Sequence, residues 1–474
     1  MDTYETYDGL GLAALVRQGE VTPEMLLEAA IARIETRDAT LNAVVIPMFD
    51  EARAAIRNGL PDGPFRGVPF LLKDLIVAAM PGVPMTQGSA LFQEMVPDYE
   101  ATLVARYRQS GLVFVGKTAT PEFGLATTTE SRLFGPTRNP WDPHCSAGGS
   151  SGGAATAVAA GYTPMANGSD GGGSIRLPAS WCGVFGLKPT RVRNPVGPRH
   201  GLGWAGLEGT HAITRSVRDS AALLDITQGA DLGAPFVAPP PVRPYLEEVS
   251  TPPGNLRLAV RSTPFTYGGV ALHPDCQAAL DDAVQLCTEL GHTVEPLHYQ
   301  LDWEPVRDAN RLVAATEVRL AMEQRARELG RELRETDVEP ETWRLAEISH
   351  MVRATDYLQA LNLIYDTGRG FAAAIQDYDA VITPTVPMPP VALDRMSSSS
   401  PEGITERRVA ISFTQIANIA GNPAMSVPLY WNDAGLPVGI QFIGRYGDEA
   451  TLFRLAGQLE AARPWFDRRP VLAH

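Results

Sequence analysis

Three short segments of the 474-residue chain combine glycine, serine and lysine in patterns that could support nucleophilic catalysis. They are GVPFLLKD at 67–74, GGSSGG at 148–153 and GSDGGGSIR at 168–176. Three consecutive glycines before Ser174 allow backbone conformations that other residues disfavour, so successive N–H groups can converge on one point. Such a nest could hold a developing oxyanion beside a serine that attacks the same carbonyl. An ordinary turn is the alternative for this segment taken alone.

A serine hydroxyl is a weak nucleophile at its own pKa and needs a base. Lys73 follows an apolar stretch, where burial would lower its pKa and leave a neutral amine able to accept a proton. The alternative is a lysine at a sheet edge whose amine extends into solvent. Ser150 could relay a proton between Lys73 and Ser174. These residues are compatible with Ser–Ser–Lys catalysis, and by themselves they leave the ordinary turn and the edge lysine open as alternatives.

Taken together, the motifs resemble the amidase signature family. Lys73-Asp74 follows GVPFLL, GGSSGG comes next, and DGGGSIR is followed by the CGVFGLKPT run at 182–190. Ser150 and Ser174 are separated as the paired serines of that family are. Further matches extend to GLPVGIQ at 435–441, and the resemblance is weakest from about 300 to 375. A chance match of so many motifs in the right order is negligible.

The resemblance implies a role for each matched residue. Ser174 would be the nucleophile, Ser150 a bridging serine held by a cis peptide bond, and Lys73 the base. The oxyanion hole would be formed by the backbone N–H groups of Gly171, Gly172, Gly173 and Ser174. Structural support would come from Asp170, Arg176 and Ser151.

The reaction implied is hydrolysis of carbon–nitrogen bonds other than peptide bonds, through an acyl-enzyme that releases ammonia or an amine. The substrate would be a small amide, and no metal or organic cofactor is expected. Particular segments resemble the branch that contains 6-aminohexanoate-cyclic-dimer hydrolases: RNPW at 138–141, APPPVRPY at 238–245 and RPW at 463–465.

Strands that alternate with helices, many of them apolar throughout, predict an α/β fold. The family resemblance implies a mixed twisted β-sheet covered by helices on both faces. We expect a single amidase domain over 1–474, with a signature core at about 67–220 and a variable substrate-facing region at about 300–375. Thr22 and Pro23 predict the start of an early helix, with Leu27, Ile31 and Ile34 on one face. From 118 to 190 the only predicted helix is Ala154–Ala160.

The composition argues against a nucleic-acid-binding protein, a membrane-spanning protein and a secreted protein. The net charge of −14 argues against a nucleic acid partner, because phosphate binding normally needs a basic face. No run of 18 apolar residues occurs, so no membrane span is expected, and the acidic start does not resemble a secretory signal. A cytoplasmic enzyme is expected, with its four cysteines as buried thiols, and as either a monomer or a homodimer.

Three alternative interpretations remain. GSSGG at 149–153 also matches the nucleophile elbow, which would make Ser151 the nucleophile, but that motif requires a strand immediately before it. GLGWAG at 201–206 matches a dinucleotide-binding pattern, although no strand precedes it. The third alternative is the glutaminase (A) subunit of a tRNA-dependent transamidation complex. That kind of protein usually has glutamine after the SIR arginine, where this chain has Leu177.

Overall fold

The computed structural model describes residues 3–267, 271–397 and 400–472. Its largest feature is a sheet of eleven strands in these residues, with a separate two-stranded sheet at 130–136. The strands are β1 Val44–Pro47, β2 Pro69–Lys73, β3 Val113–Thr118, β4 Glu130–Ser131, β5 Gly135–Pro136, β6 Met165–Asp170, β7 Phe185–Lys188, β8 Gly209–Thr214, β9 Arg257–Val260, β10 Thr293–Pro296, β11 Ala380–Pro384, β12 Ala424–Trp431 and β13 Pro437–Gly444.

Helices precede, follow and connect these strands. They are α1 Gly9–Gln18, α2 Pro23–Leu41, α3 Phe49–Arg57, α4 Thr102–Gln109, α5 Gly152–Ala159, α6 Arg176–Cys182, α7 Val217–Thr227, α8 Tyr245–Val249, α9 Pro274–Glu289, α10 Trp303–Glu328, α11 Pro340–Glu347, α12 Ala354–Ala374, α13 Pro401–Ala410, α14 Gln415–Ala420 and α15 Glu449–Ala462. In the described ranges, no helix has both the length and the hydrophobicity needed to cross a bilayer.

The large sheet is mixed, with the strand order β1-β3-β2-β6-β8-β7-β12-β13-β11-β9-β10. Strand β2 lies parallel to β3 and β6, whereas β8 is antiparallel to β6. Apolar side chains alternate between two cores: Phe70 and Leu72 of β2 point to one face and Leu71 to the other. Helices α1, α4 and α7 cover the first face and α5 and α6 cover the second, while α2 contributes side chains to both cores. The predicted α/β fold with helices on both faces is confirmed.

The topology brings several chain segments to one edge of the sheet. Lys73 is the last residue of β2, and β6 runs parallel beside it and ends at Asp170. Strand β8 begins at Gly209, which pairs with Asp170, so the residue before β8 lies at the same edge. The candidate catalytic segments therefore meet where β2 and β6 end.

The predicted early helix is confirmed in α2. The Thr22 side chain accepts a hydrogen bond from the Met25 N–H, Pro23 occupies the first turn, and Leu27, Ile31 and Ile34 are buried.

The prediction for 118–190 was incomplete, because the segment also contains the strands β4, β5, β6 and β7 and the helix α6. Strand β6 has the sequence MANGSD and is entirely buried. Its small polar residues carry little strand propensity, and its pairing with β2 and β8 stabilises it instead.

Candidate active site

Lys73 is fully buried, and its amine lies among three serine hydroxyls. Lys73 Nζ is 2.7 Å from Ser150 Oγ, 2.9 Å from Ser151 Oγ and 3.1 Å from Ser169 Oγ. In the described part of the chain it has no ion-pair partner within salt-bridge distance. The alternative of a solvated edge lysine is therefore wrong.

The surroundings of Lys73 favour a neutral amine. Burial lowers the pKa of Lys73 to about 7, and the negative charges of Glu208 and Asp170 oppose this shift. A primary amine with a pKa near 7 is substantially unprotonated at neutral pH, so its lone pair can accept a proton.

Ser150 and Ser151 lie just before α5, and the Gly149–Ser150 peptide bond is cis, as the family resemblance implies. The Ser151 hydroxyl is buried and fully engaged: it donates to the Ser169 carbonyl at 3.2 Å and accepts from the Ser169 N–H at 3.3 Å. The Ser151 N–H also donates to the Ser174 carbonyl at 3.1 Å. Ser151 thus connects the segments that carry Lys73, Ser150 and Ser174.

Ser174 faces a cavity of about 450 Å³, and Ser150, Gly171 and Gly172 line the same cavity. This volume is typical of pockets that bind small molecules. Among the described residues, no hydrogen bond joins the hydroxyls of Ser150 and Ser174. The two serines share the cavity, while Lys73 is hydrogen-bonded only to the first of them.

The turn between β6 and α6 is organised by the carboxylate of Asp170. This carboxylate accepts the N–H of Gly173 at 2.8 Å and the N–H of Ile175 at 3.1 Å. Gly173 has a φ of +140°, and a Cβ there would lie 2.4 Å from Thr414 Oγ1, so the position requires glycine. The Gly173 N–H, which the resemblance assigns to the oxyanion hole, is thus already engaged by Asp170.

Arg176 completes this buried network. It donates to both carboxylate oxygens of Asp170, at 2.9 and 2.8 Å, and also to Gln441 and Asn418. Burial alone would raise the pKa of Asp170, but the charge and hydrogen bonds of Arg176 outweigh it and lower the pKa. Asp170 therefore stays ionised, and the pair anchors the Gly171–Ser174 turn.

The sequence did not single out Ser169 or Glu208 as site residues, yet both line the cavity. Ser169 precedes the Asp170 of the DGGGSIR motif, and that adjacency was the available clue. Glu208 stands in no recognised motif and reaches the site only because β8 pairs with β6.

The far wall of the cavity comes from the region that the sequence predicts to face the substrate. Helix α10 contributes Glu317, Val318 and Ala321, and helix α11 contributes Thr342 and Leu345. The cavity thus combines apolar side chains with carboxylates, and its composition could distinguish among amides.

The two motif-based alternatives lack the structural context they require. Within the described residues no strand leads directly into Ser151, because residues 138–146 take part only in isolated bridges, one of them between Arg138 and Ser146. Residues Gly203–Gly206 form a short turn that opens no α-helix. Neither a nucleophile elbow nor a dinucleotide-binding turn is present at these positions.

The chain is similar to known proteins over nearly its whole length. A family model described as Amidase matches residues 25–453. The chain belongs to the amidase family. It is 38% identical to the 6-aminohexanoate-cyclic-dimer hydrolase of Paenarthrobacter ureafaciens, over 98% of this chain and 96% of that protein. It is therefore a hydrolase that acts on amide C–N bonds, as its family and relatives are.

Solved structures agree with this membership. A structure of 6-aminohexanoate cyclic dimer hydrolase complexed with substrate superposes with a TM-score of 0.91, at 36% identity and 99% coverage of both chains. The glutamyl-tRNA(Gln) amidotransferase (A) subunit of Thermotoga maritima gives 0.71 at 28% identity, covering 94% of this chain and 92% of that one. The amidase-signature fold is therefore established, and the transamidation alternative is not favoured.

Proposed function

We propose that this amidase hydrolyses small carboxylic amides with Ser174 as nucleophile, Ser150 as relay and Lys73 as base. The observation that carries the proposal is the 2.7 Å hydrogen bond between the buried Lys73 amine and Ser150, in a cavity that Ser174 also lines. Of the serines in the three motifs, Ser174 is the one that lines the cavity and directly follows the three glycines at 171–173.

In acylation, a proton is first transferred from Ser174 through Ser150 to Lys73 and is then returned along the same path to the leaving nitrogen. Neutral Lys73 accepts the Ser150 proton while Ser150 accepts that of Ser174, and Ser174 Oγ attacks the amide carbon. Collapse of the tetrahedral intermediate breaks the C–N bond, and the proton returns from Lys73 through Ser150 to the leaving nitrogen. Ammonia or an amine departs, and an ester remains on Ser174. Water then attacks this ester by the same proton path and releases the carboxylic acid.

The oxyanion of each tetrahedral intermediate needs hydrogen-bond donors that are already in place. We assign this role to the N–H groups of Gly171 and Gly172, because both residues line the cavity beside Ser174. Gly173 would join them only by giving up its hydrogen bond to Asp170. Removal of one oxyanion-hole donor costs about 2.7–4 kcal/mol of transition-state stabilisation in a serine hydrolase.

The substrate class is proposed from the cavity and the relatives together. A volume of about 450 Å³ accommodates a linear or cyclic amide larger than a simple primary amide. The similarity to 6-aminohexanoate-cyclic-dimer hydrolase supports that cyclic dimer, or a similar amide, as the first substrate to test.

The transamidation alternative has less support. Leu177 is fully buried among apolar side chains that include Trp181 and Val386, so it cannot supply a polar contact to a glutamine substrate. A free-standing hydrolase fits this packing better than the glutaminase component of a larger complex.

Covalent labelling tests the assignment of the nucleophile. A serine-directed phosphonate should attach at Ser174, as peptide mass mapping would show, and Ser174→Ala should lose all labelling. Ser150→Ala should slow the labelling strongly without moving it, since only the relay is removed. Label found on Ser151 would restore the nucleophile-elbow hypothesis.

A further inference from the structure

The direction of the hydrogen bonds at Lys73 decides whether its lone pair is available. A neutral amine has two N–H groups and one lone pair, and three serine hydroxyls surround Lys73 Nζ. At most one of these hydroxyls can donate to the amine. Proton transfer to Lys73 requires that the donating hydroxyl be that of Ser150.

Ser151 takes up the first N–H group of the amine. Its hydroxyl proton is directed to the Ser169 carbonyl at 3.2 Å, so its oxygen can only accept from Lys73 at 2.9 Å.

Ser169 takes up the second N–H group, because its own hydroxyl has another acceptor. Burial raises the pKa of the Glu208 carboxyl, whereas the charge of Lys73 and a hydrogen bond from the Ser169 side chain lower it and so favour the ionised form. An ionised carboxylate accepts hydrogen bonds and cannot donate them. Ser169 therefore donates to Glu208 and accepts from Lys73 at 3.1 Å, which leaves the Lys73 lone pair for Ser150.

The fold places Glu208 in this position. Ser169 pairs with Thr210 across β6 and β8, so residue 208 is its diagonal neighbour on the same face of the sheet. Gly203 admits the carboxylate: a Cβ there would lie 2.4 Å from Glu208 Oε2. The next residue, Trp204, has a φ of +46° and lies against Gly171. A tightly built turn thus holds Glu208 beside the catalytic serines.

We infer that Glu208 is a positioning residue that acts through Ser169 to direct the Lys73 lone pair toward Ser150. The inference rests on the proposed function, since it assumes that Lys73 is the base and Ser174 the nucleophile. It adds two residues, Ser169 and Glu208, to the machinery that supports the reaction.

The negative charge of Glu208 also affects the pKa of Lys73, and this effect can be measured. The charged groups facing Lys73 are Glu208 and Asp170, and those facing Glu208 are Lys73, Asp170 and Glu317. A negative charge beside Lys73 stabilises its protonated form, so removal of the Glu208 charge lowers the pKa of Lys73. The active neutral amine then persists to lower pH.

The test measures the second-order rate constant of phosphonate labelling at Ser174 against pH. Glu208→Gln retains an oxygen that can accept from Ser169 but removes the charge. We expect the rising, acid limb of its pH–rate profile to move to lower pH by about one unit, which is the low end of the effect of a nearby opposite charge on a pKa. The plateau rate constant should stay within about threefold of wild type. Ser169→Ala should lower the plateau about tenfold, and Ser169→Thr, which keeps the hydroxyl, should recover most of it.

Glu130→Gln is the matched control, because Glu130 lines the same cavity but faces Asp394 and Arg407 rather than Lys73 or Glu208. Its acid limb should stay within a few tenths of a pH unit of wild type. An unmoved limb in Glu208→Gln, with wild-type labelling intact at Ser174, would overturn this inference alone. Wild-type protein that is not labelled at Ser174 would overturn the proposed function, and the inference with it.

Discussion

Lys73 should make the wild-type reaction rate rise with pH and then level off near neutrality. Only neutral Lys73 can accept the Ser150 proton, and burial places the pKa of Lys73 at about 7. The neutral fraction is then about one-tenth at pH 6 and about nine-tenths at pH 8. We expect kcat/KM to increase about tenfold over this interval and to change little above it.

The size and shape of this rise distinguish a buried base from a solvated one. A lysine with an ordinary pKa of about 10.4 would give a roughly hundredfold rise between pH 6 and pH 8, with no plateau. Because Lys73 and Glu208 interact, the measured value belongs to the pair, and the limb identifies Lys73 only through its variants.

The assay is the initial rate at low substrate concentration, or the rate of phosphonate labelling when no good substrate is at hand. Lys73→Ala should lose most activity together with the acid limb. Lys73→Arg is the matched control, since it keeps a positive charge that cannot be removed at these pH values, and it should be equally inactive. A Lys73→Ala protein with the wild-type rate and pH profile would refute the role of the lysine.

Three further predictions follow from the site. The isolated protein should hydrolyse simple carboxamides or cyclic and linear amide oligomers without a partner; ammonia release from glutamine alone, and only with other subunits present, would support transamidation instead. Ser151→Ala should reduce kcat less than Ser150→Ala, because the Ser151 hydroxyl lies outside the proton path; equal losses in steady-state rates would contradict this. Arg176→Ala should destabilise the fold by about 3–5 kcal/mol, because Asp170 becomes a buried charge without its partner. Thermal unfolding measures this loss, and an unchanged Tm would show that Asp170 does not depend on Arg176.

The sequence was most informative where chemistry demands particular residue types in a short span. Three glycines before Ser174 and a lysine after an apolar stretch marked candidate segments, and the resemblance to the amidase signature was needed to assign them to one site. The amphipathic pattern of α2, with its Thr22 cap and Pro23 start, likewise predicts a helix that the structure contains.

Features that depend on pairing between distant segments could not be predicted in this way. Strand β6 consists of small and polar residues whose extended form depends on its neighbours, so no local periodicity marks it. Glu208 approaches Ser169 only through the register of β6 against β8, and a one-residue shift would turn its side chain to the other face. The α10 and α11 cavity wall depends on tertiary packing in the same way.

The parallel pairing of β2 and β6 also determines when during folding this chain can acquire activity. Lys73 and Ser169 belong to adjacent parallel strands, and α4, β3 and α5 lie between these strands in the sequence. Strand β8, which follows Glu208, must then insert on the other side of β6. A growing chain on the ribosome therefore carries all three motifs long before it can bring them together. Hydrolytic activity is therefore expected only once the centre of the sheet is complete.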